Sequence, residues 1–100
     1  MKVSSIEEIV TYLKNKKNFF HDRFGVTRMG VFGSFVRDKQ TSSSDIDMVI
    51  EMEKERKSIH SYLQLKRFLE EELERKVDLG FENSLKPAIK EKLKSRIIYV

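Results

Sequence analysis

Cysteine is absent from the 100 residues, tryptophan is absent, proline occurs once and glycine four times. Without thiols there is no disulfide scaffold, no Cys-ligated zinc or iron–sulfur site and no thiol nucleophile. That composition fits a reducing compartment, and a cytoplasmic location is the expectation. Long apolar runs are also missing. The longest is Ile97 to Val100, far short of the roughly 20 residues a bilayer-spanning helix requires. Met1-Lys2-Val3-Ser4-Ser5 leads into acidic residues, so neither a signal peptide nor a membrane role is expected. Charge of a single sign is lacking too: 20 Lys+Arg stand against 16 Asp+Glu, a net charge of +4. Basic clusters occur at Lys14-Asn15-Lys16-Lys17, Lys54-Glu55-Arg56-Lys57 and along Lys86, Lys90, Lys92, Lys94 and Arg96. Interleaved as they are with acids, they read as solvated faces before they read as a nucleic-acid groove.

What is present suits one compact core: 39% of residues are apolar and 36% charged. A single domain over residues 1–100 is expected. Ser4 or Ser5 can cap a helix in which Ile6, Ile9, Val10 and Leu13 share a face, running to about Phe20 and ending before Gly25. Val26–Phe32 reads as a strand, broken by Gly33-Ser34, with a helical turn over Phe35–Arg37. Residues 38–44 form a polar loop, and Asp45–Glu51 a second strand. Ser58 caps a long helix over about Ile59–Glu74, with Ile59, Tyr62, Leu63, Leu69 and Leu73 on its buried stripe and Leu65 and Phe68 widening it. Val77–Phe81 is a third strand. Ser84 and Pro87 start a last helix, with Leu85, Ala88, Ile89 and Leu93 on its apolar face. Ile97–Val100 is a short terminal strand or tail. The expected fold class is α/β (α+β): a small mixed sheet of three to four strands with helices packed on one face.

The chemistry concentrates in Gly33-Ser34 and, ten residues on, Asp45-Ile46-Asp47. Strand alternation puts Asp45 and Asp47 on one face, about 6–7 Å apart, while Ile46, Met48 and Ile50 face the core. Two such carboxylates repel unless a cation lies between them. Oxygen ligands with no His or Cys beside them select Mg²⁺ or Mn²⁺ over zinc. A glycine after a strand lets backbone approach a phosphate, and the following turn offers free N–H groups. Ser34 can donate its hydroxyl to the same phosphate. Together these describe a metal–triphosphate site. Two metals call for a third acid. Asp78, between Val77 and Leu79, leaves the core face and is preferred over Glu51; Glu82 is expected to be solvated. Phe32, Phe35 and Phe81 are expected in the core, with Phe35 the option for base stacking. His21 and His60 read as isolated surface residues.

Gly33-Ser34-(x10)-Asp45-Ile46-Asp47 followed by Asp78 in Val-Asp-Leu resembles the minimal nucleotidyltransferases of the DNA-polymerase-β-like superfamily, over most of the chain. Val36-Arg37-Asp38 stands where many relatives have Ala-Arg-Gly; the arginine is kept. The resemblance implies transfer of AMP from ATP to an acceptor hydroxyl. It implies two magnesium ions (or manganese) on Asp45, Asp47 and Asp78, phosphates on Gly33 and Ser34, and added positive charge from Arg37. Larger relatives carry a further domain for the acceptor, which is not expected within 100 residues. The resemblance therefore implies a separate acceptor, a tyrosine of a helical HEPN toxin that this chain neutralises as antitoxin. Two other readings stay open: an antitoxin that masks its partner by binding alone, and an RNA-binding or nucleotide-adding protein.

Overall fold

The computed structural model describes residues 2–37, 39–41, 43–85, 87 and 96–100. The apolar positions Ala88, Ile89 and Leu93 of the expected last helix, the basic Lys86, Lys90, Lys92 and Lys94, and Asp38 lie outside the described residues.

Ser5 starts the first helix, α1 (Ile6–Asn15), where its side chain accepts from the Glu8 N–H. Glu7 and Glu8 place negative charge on the first turn, where the helix dipole favours it. The single helix expected to reach Phe20 is two. The chain breaks at Lys16, and α2 (Lys17–Phe24) follows. Asn15 to Asn18 holds no apolar residue, so no buried stripe carries the first helix through. The break instead lets Phe20 and Phe24 turn inward beside Phe68 of the third helix. Gly25 ends α2 in the left-handed conformation, and its N–H closes on His21.

The sheet comprises β1 (Val26–Phe32), β2 (Ile46–Met52), β3 (Val77–Phe81) and β4 (Ile98–Tyr99), ordered β3-β2-β1-β4. β1 is antiparallel to β2 and β4, while β2 and β3 are parallel. Parallel neighbours require a crossover, which α3 (Ile59–Leu73) supplies. Ser58 caps α3 by accepting from the Ser61 N–H at 3.1 Å.

Period two divides the sheet into two faces. Met29 and Val31, then Ile46, Met48, Ile50 and Met52, then Val77 and Leu79 meet Ile9, Leu13, Phe20, Phe24, Leu65, Leu69 and Leu73 in one cluster. Cutting any of the three fully buried leucines of α3 back to alanine should cost about 2–5 kcal/mol. The other face presents Arg28, Gly30 and Phe32, then Asp47, Val49 and Glu51, then Asp78 and Gly80. Helices on one face of a four-stranded mixed sheet is the expected fold class.

The buried stripe of α3 is not the expected one. Leu65, Leu69 and Leu73 are buried, whereas Ile59 is 75% and Leu63 51% exposed. At 3.6 residues per turn, Leu63 lies about 160° around the helix from Leu65. One stripe cannot hold both, and the three leucines spaced by four decide which side faces the sheet.

Candidate active site

The register of the sheet sets the geometry of the site. Phe32 of β1 stands opposite Asp47 of β2, and Asp47 stands beside Asp78 of β3. Adjacent strands lie about 4.8 Å apart, so residues far apart in sequence share one row. Gly33 and Ser34 leave β1 at the end of that row. Asp45 immediately precedes β2 rather than opening it. Asp45 and Asp78 are exposed and Asp47 is half-buried.

Among the described residues no hydrogen bond or ion pair engages any of these three carboxylates. Their proximity registers in Asp47, whose carboxyl is pushed above the ordinary aspartate value. Burial is the main cause, the charges of Asp78 and Asp45 add to it, and Arg37 opposes it. Asp78, preferred over Glu51 as third acid, lies beside Asp47, and Arg37 stands close enough to be felt.

Gly33 has φ +82°, and a Cβ there would run into the Asp47 carboxylate oxygen and stand 2.9 Å from its Cγ. Glycine is required twice over: left-handed backbone disfavours a side chain, and the Asp47 carboxylate already fills the space. The turn after it closes through Arg37 N–H to Gly33 O at 3.2 Å and Lys39 N–H to Ser34 O at 2.9 Å. The Ser34, Phe35 and Val36 N–H groups donate to none of the described backbone acceptors. Such donors in succession suit an anion.

The other end of the same face holds acids with basic partners, although Glu82 Oε1 is buried without a hydrogen-bond partner among the described residues. Glu51 accepts from the Asn83 N–H at 2.6 Å and pairs with Lys57 at 3.4 Å. Glu82, expected to be solvated, is only 6% exposed and lies 3.6 Å from Arg28. Arg28 also covers the Tyr99 ring at 4.0 Å. Burial and the neighbouring Glu82 push the Tyr99 hydroxyl above its usual value. The single turn Glu82–Ser84 after β3 folds Glu82 back under this cluster.

No three acid or imidazole side chains among the described residues are closed up as a finished metal-ligand set. The Asp45, Asp47 and Asp78 groups nonetheless fit hard divalent cations. They are oxygen donors only, no described ion pair compensates their charge, and glycine keeps side-chain bulk off the Asp47 carboxylate.

Phe35 does not offer its ring to a base: it is fully buried in the core. His60 is exposed as expected. His21 is exposed but not isolated, since Nε2 contacts Glu53 at 2.6 Å. Sequence reasoning passed over Arg75, a buried guanidinium that bonds to the segment before Asp45. Inside Glu74-Arg75-Lys76 it looks like one more surface charge. No described helix is long and apolar enough to cross a membrane.

Residues 13–100 match the nucleotidyltransferase domain family. The chain is 36% identical over 100 residues to the protein adenylyltransferase MntA of Thermococcus cleftensis, covering all of both chains. A solved structure provisionally described as a minimal nucleotidyltransferase superposes with TM-score 0.78 at 27% identity, covering 95% of each chain. A toxin–antitoxin crystal structure with AMP-PNP shares the fold at TM-score 0.68 and 19% identity, over 86% of this chain and 70% of that one. The acid row, the glycine turn and these likenesses converge: the chain belongs to the nucleotidyltransferase family and is an enzyme of its minimal nucleotidyltransferase group.

Proposed function

We propose that the chain transfers AMP from ATP to a hydroxyl of a protein partner, a tyrosine of a HEPN-type toxin that it neutralises as antitoxin. The observation that carries the reading is the row in which Asp47 and Asp78 stand side by side, with Asp45 just before the strand and the Gly33 turn, with its unengaged N–H groups, at its end. The Thermococcus relative's activity toward protein and the ATP analogue in the toxin–antitoxin structure of this fold support the choice of donor and acceptor.

In this reading the N–H groups after Gly33 and the Ser34 hydroxyl hold the β- and γ-phosphates, and Arg37 adds positive charge beside them. Asp45, Asp47 and Asp78 would hold two magnesium ions, or manganese, whose charge offsets that building up on the phosphates. The acceptor oxygen attacks the α-phosphorus as its bond to the α,β-bridging oxygen breaks, and pyrophosphate leaves with that oxygen. Asp78, exposed at the edge of the row, accepts the hydroxyl proton. With Asp47 half-buried and Asp78 open, the acceptor enters from the β3 side.

The test uses purified toxin partner and ATP labelled on the α-phosphate, with magnesium or with chelator. Label should reach a tyrosine of the partner in magnesium alone, and label on the γ-phosphate should not transfer. Neutralisation of the toxin in chelator, without label, would instead establish masking by binding.

A further inference from the structure

Arg75 lies between α3 and β3, three residues before Asp78, and is 9% exposed. Its Nε donates to the Val3 carbonyl at 2.6 Å. Its Nη1 donates to the Thr41 and Ser44 carbonyls, each at 3.0 Å. The guanidinium carbon sits 5.0 Å from the centroid of the Phe35 ring. Phe35 immediately follows Ser34, and Ser44 immediately precedes Asp45. One planar group thus touches both ends of the segment joining the phosphate turn to the first acid. Through its own chain it is also tied to the strand of Asp78.

The polar stretch from Lys39 to Ser44 has little apolar surface with which to hold itself down. Its described ties elsewhere include the Gln40 amide on the Ser4 carbonyl at 3.0 Å, and just beyond it the Ile46 N–H donates to Lys76 O at 2.9 Å. A buried guanidinium bonded to main-chain carbonyls can supply the missing order, because its fork is rigid and its donors are fixed in one plane. Lysine keeps the charge but offers neither the fork nor a face to lay on Phe35.

We propose that Arg75 is a positioning residue: its guanidinium fixes the 33–45 segment so that the phosphate turn and the Asp45–Asp47 pair meet one triphosphate. The inference rests on reading that segment as the nucleotide site. A displacement of about 1 Å in such a site can cost on the order of a hundredfold in rate.

The test is Arg75→Lys, followed by amide hydrogen exchange of the nucleotide-free chain and by AMP transfer. Exchange in the peptide from Lys39 to Asp45 should rise about tenfold or more, while the α1 and α3 core peptides keep wild-type protection. Transfer should fall by roughly a hundredfold in kcat/KM for ATP, with the KM for the acceptor unchanged. Exchange that rises uniformly across sheet and helices would overturn the proposal, as would unchanged exchange with unchanged transfer. If the wild-type chain itself transfers nothing, the functional reading fails, and exchange alone still decides the role of Arg75. If Arg75→Lys does not fold, Phe35→Leu, which removes the face beneath the guanidinium, takes its place. A rise confined to the same peptide supports the proposal, and its absence contradicts it.

Discussion

Among the described residues, both acids at the Glu51–Glu82 end of this sheet face stand in ion pairs; at the Asp47–Asp78 end none does. Glu51 caps the turn after β3 and meets Lys57, while Glu82 is buried against Arg28 and Tyr99. Two rows away, burial and the charges of Asp78 and Asp45 raise the cost of ionising Asp47, and Arg37 opposes them. Two unit charges about 5 Å apart at an effective dielectric near 20 repel by roughly 3 kcal/mol before solvent screening. The comparison shows that this fold can neutralise acids on this face. Where it leaves three together, the proposed cation and polyphosphate would offset their charge.

The largest effect should come from breaking the unsatisfied end. Asp47→Ala or Asp45→Ala should lower AMP transfer by roughly three orders of magnitude, about 4 kcal/mol of barrier. Ser34→Ala should lose far less, because neighbouring N–H groups share the phosphate. Near-normal transfer by Asp47→Ala would place the chemistry elsewhere. Next in size is the response to ligand. Magnesium with ATP at a hundredfold excess over its dissociation constant should stabilise the fold by about 2.7 kcal/mol. The melting shift should vanish in chelator; an equal shift from ATP without metal would assign binding to the basic faces. Gly33→Ala should destabilise by about 1–2 kcal/mol from the left-handed backbone alone, and more from the collision with Asp47. Unchanged melting of that variant would contradict the contact. The equivalent change at Gly80, where nothing described lies within 4 Å of a new Cβ, should be mild.

A smaller effect concerns pH. The raised carboxyl of Asp47 means that the folded chain favours its protonated form. That contribution to stability is complete below the ordinary aspartate range and is lost as pH rises through the raised value. Metal-free wild type should therefore lose stability relative to Asp47→Asn across that interval. A difference that stays flat with pH would remove the charge coupling from Asp47.

Much of this site was legible because its parts are local and periodic. Gly33-Ser34 ends an apolar strand, and alternation sends Asp47 and Asp78 away from Met48 and Leu79. What stayed hidden depends on tertiary placement. Nothing in Lys76-Val77-Asp78 says that β3 lies parallel to β2 with Asp78 beside Asp47; register alone does. Glu82 looked solvated because only the turn after β3 folds it beneath Arg28. Phe35, expected in the core, kept base stacking as an option because a residue after a phosphate turn can point either way; here it points into the core. Ile59 and Leu63 seemed buried because apolar residues at helical spacing fit more than one stripe. Arg75 gave no signal at all within its charged neighbours.

The central claim is that the acids at one end of the face carry function and those at the other carry structure, and paired charge-removing variants test it most directly. Asp78→Asn and Glu82→Gln each delete one negative charge while keeping shape and hydrogen-bonding capacity. Thermal melts of both variants and wild type, in chelator and in magnesium–ATP at fixed ionic strength, give the answer. Asp78→Asn should melt above wild type in chelator, by the equivalent of about 1 kcal/mol once exposure is allowed for, and should gain less from magnesium–ATP. Glu82→Gln should melt below wild type, because Arg28 loses its buried partner, and should keep the full gain. The opposite pattern, with Asp78→Asn less stable in chelator yet fully stabilised by magnesium–ATP, would contradict the account and remove Asp78 from the site.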